Sequence, residues 1–312
     1  MKLSDVLGCV GGTALLLLAS IWVPFIGPLI SLLTPLIFLY YSTKLGLFDG
    51  IKLAVLTTLV LGLFARFTGQ TQVIIFCLEF SFMGLVLSEL FRKGLTLGKT
   101  MLATVIIMSM TGLFFLFILS WSKGSGPFEM LLNYMEIQLK SEVAIYEGMG
   151  APSQEAAAIE AYIKAFMDIV ARIYPSLMIL GTAFAVWLNV ILAKALFVRT
   201  GLEYPDFGPV DHWQAPDEMV WGIIVSGFAL FLSSGGIQFF AINAFIVMIA
   251  VYFFHGLSIS LFFLNKFHVP RLIRAGFYVL IMVQQLCMIL LVLAGIFDQW
   301  IDFRKIHRRM DR

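Results

Sequence analysis

Long apolar runs separated by short polar segments repeat along almost the whole chain. Each run approaches the roughly 20 helical residues needed to cross a hydrocarbon layer of ~30 Å. Hydropathy and breaker residues together predict membrane helices near residues 5–22, 27–42, 45–66, 71–92, 98–121, 173–197, 219–235, 237–265 and 273–299. The pattern therefore predicts an all-α, polytopic transmembrane helix bundle.

Two of these segments, 27–42 and 219–235, are short for a membrane crossing. Pro24, Pro28 and Pro35 break or bend the first, because proline interrupts the hydrogen bonding of a helix. Irregular backbone at membrane depth is tolerated only where protein or a water-filled cavity covers it. We therefore expect the turn at 22–28 and a kink at Pro35 to face the bundle interior.

The segment 122–172 is more polar, and glycines and prolines open it and divide it in two. This pattern predicts a helical hairpin on the outer face of the membrane, where its seven acidic against four basic residues between 123 and 172 fit best. Each arm carries one apolar stripe, formed by Leu131, Met135, Leu139 and Val143 in the first and by Ile159, Ile163 and Phe166 in the second. The hairpin is either a simple extracytoplasmic cap or a lid over a binding cavity.

Basic residues orient the bundle through the positive-inside rule. If the spans alternate in direction, one side collects Lys2, Lys44, Lys52, Arg92, Lys93, Lys99, Lys194, Arg199, Lys266, Arg271 and Arg274. This side should be cytoplasmic and should hold the N-terminus, but nine crossings would leave the basic tail 304–312 outside. We expect 219–235 to be a half-span or re-entrant piece, which gives eight crossings and an inside tail. Nine full crossings are the alternative.

Composition supports the membrane assignment and excludes several classes. The chain is 60% hydrophobic and 13% charged, more apolar than a soluble domain of this length can enclose. A net charge of +2 does not indicate nucleic-acid binding. The sequence has no phosphate-binding loop, HExxH or GxSxG motif, and Cys9, Cys77 and Cys287 have no paired spacing. We therefore expect no enzyme activity, no cofactor and no metal.

Glu79 is the strongest candidate for a functional residue, because it lies in the unbroken apolar run 73–87. A charged side chain at the centre of a span costs ~3 kcal/mol or more, so such residues by default face the bundle interior and find a partner. Gln72 lies two helical turns earlier on nearly the same face. Glu79 is either a protonated acid hydrogen-bonded to a neighbouring helix or a ligand or proton site.

Other polar residues on apolar spans could line the same interior with Glu79 and Gln72, namely Asn189, Asn243, His255 and Gln284. Their alternative role is to join helices by hydrogen bonds worth ~1 kcal/mol or less. In the first span, Gly8, Gly12 and Ala14 form a small-residue surface that permits close helix approach. This surface serves either packing within the chain or docking of a partner protein.

Three motifs in a fixed order resemble the YybS-like family of bacterial membrane proteins. They are Ile173-Tyr-Pro175 before a span that ends in Arg199-Thr-Gly201, His255-Gly-Leu-Ser-Ile, and Gly295-Ile-Phe-Asp298-Gln-Trp-Ile-Asp302-Phe-Arg304. From the residues alone, the last motif is typical of an aromatic and cationic anchor at the membrane boundary. The resemblance implies a multi-pass protein of the bacterial inner membrane and leaves the function open.

The N-terminal part is also similar to the substrate-binding S components of energy-coupling-factor transporters, through Leu33-Thr-Pro35 and the stretch Gly46-Leu-Phe-Asp-Gly50. This resemblance implies a six-span core over residues 1–200, with 122–172 as an insertion, followed by a linker, C-terminal spans and tail over 201–312. It also implies a small-molecule ligand, a transmembrane coupling subunit that docks on Gly8, Gly12 and Ala14, and separate ATPases.

Two functional interpretations follow. The first is a membrane subunit that binds or transports a small solute, with Glu79 in its cavity. The second is a non-transporting scaffold that recruits envelope or cell-division proteins through its first helix and its hairpin, with Glu79 serving only to join helices.

Overall fold

The structure is a computed structural model that describes residues 1–22, 27–69, 72–124, 126–148, 153–232 and 234–304. The fold is all-helical, with 86% helix and no strand among these residues, which confirms the predicted helical membrane bundle. In the described part of the chain, six helices are long and apolar enough to cross a membrane, or seven if one bent pair counts as a single span. The finer count of eight or nine crossings stays a prediction.

The helices follow the predicted spans closely, with a few informative departures. In chain order they are α1 Leu3–Trp22, α2 Gly27–Ser31, α3 Thr34–Leu45, α4 Leu47–Thr68, α5 Gln72–Arg92, α6 Leu97–Lys123, α7 Pro127–Gly148, α8 Ser153–Thr200, α9 Met219–Leu232, α10 Gly236–Lys266, α11 Arg271–Val283 and α12 Gln285–Ile301, with one 3₁₀ turn at Val210–His212.

The second predicted span is divided into α2 and α3. Pro35 lies in the first turn of α3. Backbone N–H groups in the first turn of a helix have no acceptor within the helix, so the N–H that proline lacks costs no hydrogen bond there. The proline therefore starts a helix and does not kink one, although it is buried as expected. Residues 23–26 of the predicted turn lie outside the described part of the chain.

The second arm of the insertion and the following span form one continuous helix, α8, of 48 residues with Pro175 inside it. At 1.5 Å per residue this helix is about 72 Å long. Met167 and Val170 are buried on it whereas Phe166 is exposed, so the buried face of this helix runs through Met167, beside the predicted apolar stripe. In the first arm, the side chain of Val143 lies outside the described residues.

Contacts divide the chain into two compact units, and the predicted division at residue 200 stays a prediction. Unit 1 comprises residues 1–109 and 181–208, and unit 2 comprises 110–180 and 209–312. In unit 1, α5 packs against α3 and α4. A Cβ on Gly84 would lie only 2.6 Å from both the Cβ of Phe38 and the carbonyl oxygen of Pro35, so the backbones of α3 and α5 are nearly in contact.

In unit 2, α10 is the central helix and packs against α9 and α12. Gly256 and Gly295 form the crossing of α10 and α12, because a Cβ on Gly256 would overlap the Leu291 carbonyl and one on Gly295 would overlap the Tyr252 carbonyl. Each Cβ would point toward the N-terminus of its own helix, and each meets the carbonyl four residues before the other glycine. In these two pairs the residue number rises along α12 as it falls along α10. This pattern indicates that α10 and α12 run antiparallel.

The last predicted span, 273–299, was wrong as a single helix. It is broken at Gln284, which has extended backbone angles of −106° and 106°, and α11 and α12 meet there at a bend of 100°. Neither glycine nor proline marks the break in the sequence. Tertiary contacts hold both sides of the bend: Arg274 near the start of α11 donates to Leu264 and Asn265 at the end of α10, and Gly295 holds α12 against α10.

We predict that Gly256→Ala lowers the stability of the purified protein by about 1–3 kcal/mol or more, because the added methyl group must push α12 away. The measurement is the midpoint of thermal unfolding in detergent. Gly276→Ala on α11 is the matched control, since a Cβ there would meet nothing within 4 Å; it should leave the midpoint unchanged or raise it. Equal midpoints for the two variants would contradict the crossing.

Candidate functional site

His255, Asp298 and Arg304 form a buried ionic cluster in unit 2, with only 1%, 3% and 3% of their surfaces exposed. Arg304 Nη2 donates to Asp298 Oδ2 at 2.9 Å and lies 2.9 Å from His255 Nε2. His255 Nε2 in turn lies 3.1 Å from Asp298 Oδ2. Because a guanidinium has donors only, this arrangement pairs one cation with a carboxylate and an imidazole nitrogen.

The local fold explains how these three side chains meet. His255 adjoins Gly256 on α10 and Asp298 follows Gly295 by three residues on α12, so the close crossing brings both side chains together. α12 ends at Ile301, and Asp302 has a left-handed backbone with a φ of 46° that turns the chain back. Asp298 Oδ1 accepts a hydrogen bond from the Phe303 N–H at 2.8 Å, which fixes the turn that returns Arg304 to the cluster.

The cluster also holds the linker that precedes α9. Arg304 Nη1 donates to the carbonyl oxygens of Asp211 and Trp213, at 3.0 and 3.1 Å. The Ser258 hydroxyl on α10 contacts the carbonyl oxygens of Val210 and Trp213, at 2.9 and 2.8 Å. One guanidinium therefore links α10, α12 and the linker, and it satisfies backbone carbonyls that lack a helical partner.

A second, more exposed network continues from the linker to the end of α10. Asn265 donates to Asp211 Oδ2 at 2.8 Å, and Arg274 Nη1 donates to Asn265 Oδ1 at 2.7 Å. Burial raises the pKa of Asp211, but hydrogen bonds from Asn265 and His212 outweigh burial and hold the pKa below its ordinary value. Asp211 is thus an anion that joins the linker to α10.

The chemistry of the cluster is that of a structural clamp. The side chains of Asp298 and Arg304 are fully buried, and the guanidinium is directed at protein acceptors. Among the described residues, no group of three or more His, Cys, Asp or Glu side chains could hold a metal ion.

Glu79 lies in unit 1, and its side chain is exposed on the outer surface of α5. None of the hydrogen bonds or ion pairs among the described residues involves it. Cys77 and Ser81, each two residues from Glu79 and so on the opposite side of the helix, are 0% and 3% exposed. The inner half of α5 is therefore covered by the bundle, whereas the half that carries Glu79 is exposed. The side chain of Gln72 lies outside the described part of the chain.

Asn189 in unit 1 supports the break between α2 and α3. Its Nδ2 donates to the carbonyl oxygen of Leu32 at 2.7 Å and to that of Ala185 at 2.7 Å. The Leu36 N–H bonds to Leu33 and not to Leu32, so the break frees the Leu32 carbonyl and the asparagine satisfies it. Asn189 Oδ1 has no hydrogen-bond partner in the described residues.

Asn243 in unit 2 supports α8 where Pro175 interrupts it. Its Oδ1 accepts from the Ser176 N–H at 2.9 Å, and its Nδ2 donates to the Arg172 carbonyl at 2.8 Å. These are the two backbone groups that an intrahelical bond would join at this turn. The amide therefore joins α10 to α8 by bonding directly to the backbone of α8.

The remaining predicted residues are placed as follows. Gln284 lies exposed at the break between α11 and α12. A Cβ on Gly8 would overlap the Tyr41 hydroxyl and one on Gly12 would lie 3.0 Å from Ile37, so both glycines face α3 within the chain. Ala14 packs at the edge of the same core.

The predicted polar residues are divided between the two units. Glu79 and Asn189 belong to unit 1, whereas Asn243, His255 and Gln284 belong to unit 2.

Two of the best-formed hollows in the described residues are apolar grooves in unit 2. One, of about 250 Å³, is lined by residues of α10 and α11, among them Ile259, Phe263 and Phe277. The other, of about 220 Å³, lies on α9 around Gly227 and Phe231. None of the predicted polar site residues lines either groove.

Sequence reasoning did not identify Asp298 and Arg304 as site residues, because their segment was interpreted as a membrane-boundary anchor. A signal was present: an acid three residues after a glycine in an apolar helix, followed six residues later by an arginine. The motifs around His255 and Gly295 supplied the resemblance to a family, and the structure shows that they meet in space.

The chain belongs to a family described as "Predicted membrane protein (DUF2232)", whose model matches residues 13–299. The match covers the cluster except for Arg304. No curated protein and no solved structure matches the chain significantly. The YybS-like name and the likeness to S components stay predictions, whereas membership of a family of helical membrane proteins is established.

We predict that Arg304→Met destabilises the protein by about 3–5 kcal/mol, because it leaves the Asp298 carboxylate buried without its cation. Adding Asp298→Leu should restore part of the loss, since no unpaired charge then remains. Lys52→Met removes one partner of the exposed pair with Asp49 and should change little. Thermal unfolding midpoints test all three, and a double variant no more stable than Arg304→Met would argue against the buried pair.

Proposed function

We propose that this member of the DUF2232 family is a non-transporting membrane scaffold that binds another membrane protein through the outer half of α5. Glu79 is the centre of the contact, and the occupant is a transmembrane helix that presents a cationic or hydrogen-bond-donating side chain at its depth. The observation that carries the proposal is the exposed side chain of Glu79 within an apolar helix.

The surface around Glu79 is apolar and open. Ile75, Leu78 and Phe82 are 60%, 48% and 37% exposed on the same part of α5. Glu79 comes seven residues after the first residue of α5, which places it about 10 Å along the helix axis. At this depth water does not solvate a carboxylate, and lipid tails offer it no hydrogen bond.

The energetic cost of this arrangement favours a partner. A charged residue at the centre of a membrane helix costs about 2.5–3.5 kcal/mol even by the lower estimates. A donor on a second helix offsets this cost, as interhelical hydrogen bonds of about 1–2 kcal/mol do in model helices. An apolar face with one complementary polar group is therefore suited to another helix rather than to lipid.

The distribution of polar groups also supports a scaffold. Asn189, Asn243 and His255 face inward, and each makes at least one bond to a backbone or side-chain partner in its own unit, although Asn189 Oδ1 and His255 Nδ1 have no partner among the described residues. Glu79 and Gln284 face outward. A solute-binding subunit would place such polar groups around an internal hollow, and none of these residues lines either groove. Solute binding, a coupling subunit and associated ATPases stay predictions from the sequence.

The experiment is site-specific photocrosslinking in native membranes, with a photoreactive amino acid at Leu78 or Phe82 of the full chain. We expect one discrete protein adduct from these positions. Glu79→Leu should reduce the adduct about 5- to 30-fold, which corresponds to the loss of 1–2 kcal/mol. Glu79→Gln should retain more of it, because an amide still accepts a hydrogen bond. The control is the same probe at Leu59, which is 61% exposed on α4 and should give no discrete protein adduct.

Three outcomes bear on the proposal. An adduct that is equally strong in Glu79→Leu, or no protein adduct at Leu78 and Phe82, would overturn it, provided that thermal unfolding shows the variants to be folded. A small molecule that co-purifies with the protein and is lost in Glu79→Gln would favour solute binding instead.

A further inference from the structure

We propose that unit 2 binds an anionic phospholipid where α10 ends. One acyl chain lies in the apolar groove between α10 and α11, and the phosphate lies beside Lys266 and Arg271. The surface around Glu79 belongs to unit 1, so this lipid site concerns unit 2 alone and does not depend on the proposed function.

The groove follows one face of α10 up to the basic end of the helix. Ile259, Phe263 and Phe267 recur along it every four residues, and Val269 in the following turn and Phe277 on α11 complete its lining. From Ile259 to Phe267 the groove extends about 12 Å along the helix axis at 1.5 Å per residue. Since the membrane-spanning helix ends at Lys266, the groove leads from this basic end toward the membrane interior.

Arg274 holds the two sides of the groove together. Its Nη2 donates to the Leu264 carbonyl oxygen at 2.9 Å, and its Nε donates to the Val269 carbonyl oxygen at 2.8 Å. The Val269 N–H donates to the same Leu264 carbonyl oxygen at 3.0 Å. Hydrogen bonds within the protein therefore fix the start of α11 against the end of α10.

The size of the groove favours a hydrocarbon chain over a second helix. Its volume is about 250 Å³, spread over that stretch of α10. A helix has a diameter of about 10–12 Å, so an equal length of helix would occupy several times this volume. Ser260 is the one polar residue among those that line the groove, so the lining offers an occupant little besides apolar contact.

Two cations at the open end of the groove have no acidic partner. Lys266 is the last residue of α10 and Arg271 is the first residue of α11, and both are exposed. Neither forms an ion pair within the ranges that the structure describes. Asp211, the acid bonded to this end of α10, accepts from Asn265 at 2.8 Å and contacts His212. Lys266 and Arg271 can therefore pair with an anion from outside the chain.

Lys266 connects this charge with the groove. Its ammonium nitrogen lies 5.8 Å from the ring centre of Phe263, which lines the groove, and 6.0 Å from that of Phe262. A phosphodiester that pairs with the ammonium group therefore lies next to the groove. Basic residues at a membrane surface attract anionic headgroups in general, and here a groove beside them accepts a chain of the same molecule. The two features together select a lipid rather than a free phosphate ion.

The test uses a photoreactive phosphatidylglycerol, with a diazirine near the middle of one acyl chain, in phosphatidylcholine vesicles that contain the full chain. Peptide mass spectrometry locates the adducts after irradiation. Lys266→Gln combined with Arg271→Gln removes both charges, and Ser260→Trp fills the groove. The matched control is Lys93→Gln combined with Lys99→Gln, which removes two exposed cations of unit 1.

We expect adducts on the peptides that contain Phe263 or Phe277. At subsaturating lipid, the variant without Lys266 and Arg271 should show about 30-fold less labelling there, because each basic residue near a membrane surface contributes about a factor of five. Ser260→Trp should lower the labelling to background, since its ring occupies the space of the acyl chain. The control variant should be labelled as strongly as the unaltered protein.

Three results would overturn the lipid site: equal labelling by a photoreactive phosphatidylcholine, labelling that persists without Lys266 and Arg271, and suppression of the adducts by inorganic phosphate. The last would mean that the cations recognise free phosphate alone. Thermal unfolding midpoints show whether each variant is folded. If one is not, competition in the unaltered protein decides: unlabelled phosphatidylglycerol should suppress the adducts, and failure to do so counts against the site.

Discussion

A break in a membrane helix leaves backbone N–H and C=O groups without their helical hydrogen bonds, and no water is present in the hydrocarbon layer to replace those bonds. In this protein, buried polar side chains supply the missing partners. Asn189 satisfies the Leu32 carbonyl at the break between α2 and α3. Asn243 bonds to both backbone groups of α8 at the turn that Pro175 interrupts. Each asparagine comes from another helix, so the repair of a break is at the same time a contact between helices. Breaks and buried amides therefore occur together.

The cluster of His255, Asp298 and Arg304 applies the same principle with charges. Removing a carboxylate and a guanidinium from water costs several kcal/mol for each ion, and good geometry with additional hydrogen bonds is needed to offset that cost. Arg304 meets the requirement by also binding two carbonyl groups of the linker, which themselves need donors. The close crossing at Gly256 and Gly295 makes this possible, because larger residues would hold α12 too far from α10. Two glycines thus permit an ionic contact that organises a loop.

Much of the fold could be predicted because hydropathy and helix length are local properties. The predicted limits of α4, α5 and α10 differ from the observed ones by at most two residues. The break at Gln284 could not be predicted, since tertiary contacts of Arg274 and Gly295 impose it on a sequence without a breaker. The orientation of Glu79 also depends on neighbours: the contact of Gly84 with α3 determines which face of α5 turns inward. A sequence shows that a carboxyl group lies in a span but not which way it points.

That orientation changes the meaning of the most conspicuous residue in the chain. An intramembrane acid that faces inward would be explained by a cavity or an internal partner, and neither explanation applies to a side chain on the outer surface of α5. Asn189, Asn243 and His255 face inward and each makes a bond that holds the helices of this protein, whereas Glu79 offers hydrogen-bond acceptors to whatever lies beside α5. Lipid tails cannot use those acceptors, and another polypeptide can. The physical cost of leaving the carboxyl group uncovered is therefore the strongest reason to regard this chain as one component of a larger membrane assembly.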